Sequence, residues 1–348
     1  MGQSKIVSLD KFVEKSLYDK KFGYYSTRNP FGVSGDFVTS PLVSILFGEM
    51  IAIWTVAFWE SQQKPKNFNF IELGPGDGSL CKTLLNTFKK FPEFYNSLNV
   101  YLYEKSEHLI KVQKKEIKND KVLWIRKMDK IKNGTSLFFG NEFFDAIPIK
   151  QFEKKNKTFY EKFIKYKKKD HLEFFLKKAS KNDLKELKKF NLLKKGGVIE
   201  YPKMGIAELN KIISVIKRYQ GGILLIDYGY KKSQKISTIQ SIKAHKKNSL
   251  FKNIGNSDIT SLVNFSLLKN LFIKNKLKFN KIVSQSFFLQ KIGILKRASI
   301  LASKMTFKEK SNLYFRMQRL LSNKQMGALF KVAFAYKSKK KFNLGFEK

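Results

Sequence analysis

The stretch FNFIELGPGDGSL, residues 68–80, decides the fold of this 348-residue chain. It begins with the apolar run Phe68–Leu73, which predicts a short buried strand. Glycines then alternate over Gly74–Gly78, and a helical pattern follows over Ser79–Phe88. Glycines permit a tight turn and let backbone N–H groups approach a ligand. The stretch therefore predicts a ligand-binding turn between a strand and a helix of an α/β fold.

The spacing of these glycines distinguishes two kinds of ligand. A dinucleotide fingerprint needs G-x-G-x-x-G/A, whereas here Ser79 takes the third slot of that pattern. Glu72 precedes the first glycine, where it would repel a pyrophosphate but suit a ligand with an amino group and a sulfonium. The turn thus favours S-adenosyl-L-methionine, although a glycine turn that only packs helix against strand is the structural alternative. The cofactor-binding candidates here are Glu72, Gly74, Pro75, Gly76 and Gly78.

Strands and helices continue to alternate after this turn, which predicts a parallel sheet covered by helices on both faces. The predicted strands are Asn99–Tyr103, Val122–Ile125 and Ser136–Gly140, with a helix over Ser106–Lys118. Glu104 follows the first of these strands, at the carboxyl edge where a ribose diol would lie. We therefore add Glu104 to the cofactor-binding candidates.

The motif NEFFDAIP, residues 141–148, follows the strand at Ser136–Gly140. Two carboxylates and an amide beside aromatics are unusual at the end of a buried strand. We take Glu142, Asp145 and Asn141 as the catalytic candidates. The structural alternatives are an ion pair between Glu142 and a lysine, and a helix cap at Asp145.

The rest of the chain divides into further parts. Residues 150–177 alternate apolar and basic side chains, which predicts an antiparallel meander. The α/β pattern resumes with a helix over Met204–Tyr219 and a strand at Gly222–Asp227, and a strand at Leu329–Tyr336 comes last. We expect the following division: 1–60, a helical and loop segment covering the cofactor site; 61–149 and 200–235, the core; 150–199, an inserted meander; 236–348, a C-terminal region completing the fold and the substrate side.

Turn residues are dense before the apolar segment at 41–59, and we place Asp36, Thr39 and Ser40 among the cofactor-binding candidates. The alternative is a capped helix start with Ser40 as N-cap and Pro41 at the first helical position. The apolar segment is long enough to cross a membrane. Because Glu49 lies near its middle, we predict a buried core helix instead.

The formal charge of +41 invites a nucleic-acid partner. Only six of the 69 basic residues are arginine, however, and the lysines are spread along the whole chain, which favours compositional drift and solubility.

Cys81 is the single cysteine and three histidines lie far apart in sequence, so neither a disulfide nor a metal cluster is expected. No long apolar signal segment is visible near residue 1, and we expect a cytoplasmic protein.

Several motifs together resemble the MidA family of S-adenosylmethionine-dependent methyltransferases. In chain order they are GYYSTRNPFGVSGDFVTSP, FGE, IELGPGDGSL, YEKSEHLIKVQ, NEFFDAIPIKQF, LLIDYGY, SDITSLVNF, SQSFFLQKIGI and MGALFKVAFAYKS. The resemblance implies an α/β fold: a Rossmann-like methyltransferase sheet with an inserted antiparallel β meander and a mixed α/β C-terminal region.

The same resemblance implies methylation of a protein arginine on a subunit of the respiratory NADH dehydrogenase, complex I. Leu42, Leu262 and Asn264 depart from the family pattern, which has an acidic residue or a histidine at these positions. The alternatives are a methyltransferase acting on nucleic acid and a non-catalytic assembly factor that keeps the fold. A homodimer is left open, because the sequence does not fix the oligomeric state.

Overall fold

The strand, turn and helix predicted from residues 68–88 are present in the computed structural model, which describes residues 5–28, 30, 45–167, 171–194 and 196–347. Two compact units are found. The first, here called the sheet unit, comprises Asn29–Phe143, Lys211–Gly229 and Phe272–Lys348. The second, here called the meander unit, comprises Met1–Arg28, Phe144–Asn210 and Tyr230–Leu271. The roles that we expect for the separate sequence segments stay predictions.

Strands are numbered here in chain order, and helices are given by their bounds. The strands are β1 Ile6–Ser8, β2 Phe68–Leu73, β3 Leu98–Tyr103, β4 Val122–Ile125, β5 Thr135–Asn141, β6 Lys150–Lys155, β7 Thr158–Tyr166, β8 Leu172–Lys178, β9 Val198–Tyr201, β10 Gly221–Tyr230, β11 Gln240–Lys243, β12 Lys246–Asn248, β13 Asp258–Thr260, β14 Val263–Asn264, β15 Lys278–Phe279, β16 Val283–Ser284 and β17 Phe330–Lys337. The α-helices are Leu9–Tyr18, Tyr24–Thr27, Ile45–Ser61, Ser79–Phe88, Pro92–Ser97, Glu107–Glu116, Lys181–Lys189, Lys203–Tyr219, Phe265–Lys274, Gln285–Lys291, Ile294–Ala302, Phe307–Leu321 and Met326–Leu329. Short 3₁₀ helices lie at Met128–Lys130 and Leu192–Lys194.

The sheet unit is built on the path β15-β17-β10-β5-β2-β3-β4. Neighbours from β10 to β4 are parallel, while β17 runs antiparallel to β10 and to β15. Every residue of β2 is buried, as expected for a central parallel strand covered on both faces. The chain winds outward from β2 to β4 and then returns to β5 on the other side of β2. This reversal between β2 and β5 is a topological switch point, where ligands of open α/β sheets bind.

The helix Ile45–Ser61 packs into the core of the sheet unit, as predicted from its all-round apolar sequence. Trp54 lies edge-on against Phe334 of β17, with ring centroids 4.9 Å apart. The indole N–H of Trp54 donates to the carbonyl of Leu344 at 2.9 Å, which satisfies its one buried donor. Glu49 accepts two hydrogen bonds from Arg297, so its charge is paired. Within the described residues, no helix combines the length and apolar character that a membrane crossing requires.

The meander unit contains the antiparallel sheet predicted from residues 150–177, with strands β6, β7 and β8. The sheet has two strands that the sequence did not predict, because β1 pairs with β7 and β9 pairs with β6. The strand β1 has only three residues, too few to show an alternating pattern. A second sheet of this unit has the order β12-β11-β13. The predicted α/β fold class is confirmed by the parallel sheet of the sheet unit and the antiparallel meander.

Candidate active site

The glycine turn after β2 adopts a backbone that other residues rarely accept. Gly74, Gly76 and Gly78 all have positive φ, at 62°, 57° and 89°. A Cβ on Gly74 would lie 2.7 Å from Cδ2 of Phe143, so this position excludes a side chain on steric grounds as well. The carbonyl of Pro75 accepts a hydrogen bond from the N–H of Gly78 at 2.9 Å, which closes the turn before the helix Ser79–Phe88. The backbone is thus shaped for close approach of a ligand.

Glu72 of β2 is a buried carboxyl group immediately before this turn, with 3% of its surface exposed. Its Oε2 accepts no hydrogen bond from any described residue. Burial, reinforced by the carboxylate of Asp77, raises the pKa of Glu72 to about 8. A buried acid that lacks a partner is costly to ionise. A cationic ligand group beside Oε2 would remove much of that cost.

Glu104 follows β3 and is held by its own loop. Its Oε1 accepts hydrogen bonds from the backbone N–H groups of Lys105 and Ser106, each at 2.8 Å. Its Oε2 accepts one from Nε2 of Gln113 at 3.2 Å. Burial raises the pKa of Glu104, while these hydrogen bonds oppose the rise by stabilising the charged form. The carboxylate is therefore kept in a fixed orientation at the end of β3.

Gln113 is a residue of this site that sequence reasoning did not single out. It lies on the helix Glu107–Glu116, is fully buried, and also donates from Nε2 to the carbonyl of Gly76 at 2.8 Å. A signal was present in the sequence, because Gln113 stands four positions after Leu109 and so shares its buried helix face. A glutamine on an apolar face has hydrogen-bonding groups that must find buried partners.

Asn141 and Glu142 lie at the end of β5, next to β2 in the sheet. Nδ2 of Asn141 donates to Oε1 of Glu142 at 3.2 Å, while the buried Oδ1 of Asn141 accepts no hydrogen bond from any described residue. Glu142 has a φ of 49°, and its N–H donates to the carbonyl of Ile226 at 2.9 Å. A left-handed glutamate stores strain of about 1–3 kcal/mol, and such strain concentrates at functional sites.

Asp145 belongs to the meander unit and is buried there. Its carbonyl accepts a hydrogen bond from the N–H of Ser261 at 3.0 Å. The neighbouring Tyr25 donates its hydroxyl proton to Asp258 at 2.9 Å, and burial, followed by the charge of Asp258, raises the pKa of Tyr25. Tyr18 stacks on Tyr25 with ring centroids 5.6 Å apart. The carboxyl group of Asp145 thus lies in an aromatic and acidic environment.

The structure brings Glu72, the glycine turn, Glu104, Asn141 and Glu142 together at one edge of the sheet unit. Asp36, Thr39 and Ser40 lie outside the described residues, as does Leu42.

Of the other departures from the family pattern, Asn264 accepts a hydrogen bond from the N–H of Leu267 at 3.1 Å. It thereby caps the helix Phe265–Lys274, a task that asparagine and aspartate perform equally well. The described residues contain no group of three or more His, Cys, Asp or Glu side chains suited to a metal ion.

Comparison with protein families gives a match over residues 50–283 to the family described as "Putative S-adenosyl-L-methionine-dependent methyltransferase". Among curated proteins, the chain is 28% identical to "Protein arginine methyltransferase NDUFAF7, mitochondrial" of Xenopus laevis, covering 93% of this chain and 80% of that protein. The human protein of the same name is 26% identical over 93% of this chain and 78% of its own length. These relatives are named as mitochondrial, which contradicts the cytoplasmic location expected from the sequence.

Solved structures share the fold of the chain. A Burkholderia thailandensis protein bound to S-adenosyl-homocysteine superimposes with a TM-score of 0.81 at 20% identity, covering 99% of this chain and 89% of that one. A native crystal structure of a protein from the same organism gives a TM-score of 0.82 at 21% identity, covering 99% and 90%. The likeness extends over both units of the chain, including the meander strands.

Proposed function

We propose that this chain, which belongs to the family of S-adenosylmethionine-dependent methyltransferases that it matches over residues 50–283, methylates an arginine side chain of a protein. The observation that carries the proposal is the acidic edge of the sheet unit, where Glu72, Glu104 and Glu142 follow one another on neighbouring strand ends. Acidic side chains are thereby concentrated at one edge of a chain of formal charge +41. Where they are ionised, they would repel nucleic-acid phosphates and attract a guanidinium.

The residues at this edge fit the cofactor. Three left-handed glycines leave room for a ligand against the backbone, and the unpartnered Oε2 of Glu72 suits an ammonium group. Glu104 directly follows β3, the position at which acidic side chains of doubly wound sheets bind a ribose diol. When bound, S-adenosylmethionine supplies a methyl group already activated by its sulfonium. The protein therefore mainly has to align the acceptor with that group and exclude water.

Glu142 is the proposed orienting residue for the acceptor. Its carboxylate would accept hydrogen bonds from a guanidinium and draw positive charge away from the attacking nitrogen. The amide of Asn141 holds Oε1 of Glu142 at 3.2 Å and so fixes the direction of the carboxylate. Asp145, in the meander unit, remains the second catalytic candidate from the sequence.

The proposed acceptor is an arginine on a subunit of the respiratory NADH dehydrogenase. The resemblance to the MidA family supports this partner, and the names of the relatives support a protein arginine as the target. Mass spectrometry of that complex from cells with and without the gene tests the assignment. An arginine methyl mark that is present only with the gene is expected, and identical methylation in both samples would contradict the proposed substrate.

Two other functions predict different results. A methyltransferase acting on nucleic acid is favoured only by the charge of +41, and it would transfer label to RNA or DNA. A non-catalytic assembly factor would bind the cofactor without forming a methylated product.

A homodimer is a further proposal, which light scattering of the purified chain would test.

A further inference from the structure

The side chain of Gln113 joins the two segments that we assign to the cofactor. Its Nε2 donates to the carbonyl of Gly76 in the turn after β2, at 2.8 Å, and to Oε2 of Glu104 after β3, at 3.2 Å. Its Oε1 accepts a hydrogen bond from the indole N–H of Trp124 at 3.0 Å. Both hydrogens of the amide and its oxygen are thereby used, although the residue is fully buried.

Trp124 of β4 determines which way this amide faces. An indole N–H can only donate, so the oxygen of the amide must point towards it. The NH₂ group then has to face the opposite side, where the carbonyl of Gly76 and the carboxylate of Glu104 both accept. Lys114 lies over the Trp124 ring, with Nζ 5.4 Å from the ring centroid, and further fixes the indole. Through the side chain of Gln113, a contact of β4 therefore reaches the cofactor turn.

We propose that Gln113 is a positioning residue for S-adenosylmethionine, which sets the Glu104 carboxylate at the correct distance from the glycine turn to bind the ribose hydroxyls. A bound nucleoside must be held by both segments at once, and the amide of Gln113 hydrogen-bonds to both. The proposal rests on the use of S-adenosylmethionine by the family and is independent of the identity of the methyl acceptor.

The chemistry of glutamine suits this task better than that of similar residues. A glutamate at position 113 would bring a second negative charge beside Glu104 and could not donate to Gly76. A methionine would keep the volume, but it would leave the Gly76 carbonyl, the Glu104 carboxylate and the Trp124 N–H each without this partner. Because the hydrogen bond from Gln113 lowers the pKa of Glu104 against the effect of burial, its removal would also favour protonation of that carboxyl.

Calorimetric binding of two probes, S-adenosylhomocysteine and its 2′-deoxyribose analogue, tests the proposal. The ratio of the two affinities reports how strongly Glu104 binds the 2′-hydroxyl of the ribose. We expect Gln113→Met to weaken S-adenosylhomocysteine binding by about 10-fold or more, the scale of a hydrogen bond to a charged group. Binding of the deoxy analogue should fall much less, so that the ratio approaches that of Glu104→Ala. Trp124→Phe, which removes the indole N–H together with part of the ring, should give a smaller change of the same kind.

Gln285→Met is the matched control, because Gln285 is also a fully buried glutamine of the sheet unit and donates to the carbonyl of Leu320 at 3.1 Å. It should lower the melting temperature and leave the affinity ratio unchanged. If Gln113→Met weakens both probes by the same factor, or neither, Gln113 is only a structural residue and the proposal is wrong. A wild-type chain that binds neither probe would overturn the cofactor assignment, and this proposal with it.

Discussion

Leu73 of β2 lies directly opposite Gly140 of β5 in the parallel sheet. The glycine turn therefore starts directly after Leu73, and Glu142 follows two residues after Gly140, directly beyond the end of β5. The strand order reverses between β2 and β5, and ligands of open α/β sheets bind in the crevice at such a point. The cofactor turn and the proposed acceptor-binding carboxylate are adjacent as a result of this register.

Replacing Gly76 by valine tests the cofactor turn. Gly76 has a φ of 57°, so a branched side chain would strain the backbone and occupy the space next to the ligand. We expect Gly76→Val to abolish calorimetric binding of S-adenosylhomocysteine. Gly293→Val is the control, because Gly293 has a φ of 96° and a Cβ added there would meet no atom within 4 Å. Both variants should lose about 1–2 kcal/mol of stability to backbone strain, but only the first should lose binding. Retained binding in Gly76→Val would argue against a cofactor site at this turn.

The pKa of Glu72 predicts a pH-dependent stability. The folded chain raises it from 4.5 to about 8, so the folded state holds this proton more tightly than the unfolded state. The corresponding stability is fully present below pH 4.5 and is lost as the pH rises through about 8. Glu72→Gln removes the titration, and the ligand-free variant should be more stable than the wild type by on the order of 2–4 kcal/mol at pH 8.

Thermal unfolding between pH 5 and 9 measures this effect, with Glu107→Gln as a control, since Glu107 is an exposed carboxylate of the same unit. The gain in stability of Glu72→Gln should increase with pH, while its affinity for S-adenosylmethionine should fall. A gain that is constant across this range would mean that Glu72 ionises normally.

Glu142→Gln tests the assignment of the acceptor site. The amide cannot draw charge from a guanidinium, so methyl transfer should fall by about 10²-fold or more, while cofactor affinity stays unchanged. Glu142→Gly provides a second variant, because glycine accepts a φ of 49° without strain. This variant should be at least as stable as the wild type, and its methyl-transfer activity should be as low as that of Glu142→Gln. Full activity in either variant would make Glu142 a structural carboxylate.

The sequence predicts the sheet unit well where the signal is local. The strand Phe68–Leu73 and the helix Ser79–Phe88 have the bounds expected from an apolar run, a glycine turn and a 3.6-residue period. The last strand, expected at Leu329–Tyr336, lies at Phe330–Lys337, so only its ends differ. Cys81, which lies on this helix, is buried.

Other features depend on contacts between distant segments, which local sequence patterns do not predict. The pairing of β1 with β7 joins residues more than 150 positions apart, and a three-residue strand is too short for any pattern. The role of Gln113 becomes visible only when the helix places its amide between Gly76 and Glu104. The left-handed backbone of Glu142 likewise cannot be inferred from its residue type, because glutamate rarely adopts that conformation.

Transfer of a methyl group from S-adenosylmethionine to a protein arginine can be measured by incubating the purified chain with methyl-labelled S-adenosylmethionine and an extract of cells that lack the gene. After hydrolysis of the protein fraction, we expect label in methylarginine, at wild-type level with Glu107→Gln and strongly reduced with Glu142→Gln. Label in nucleic acid, label in another amino acid, or no transfer of label by a chain that binds the cofactor would contradict it.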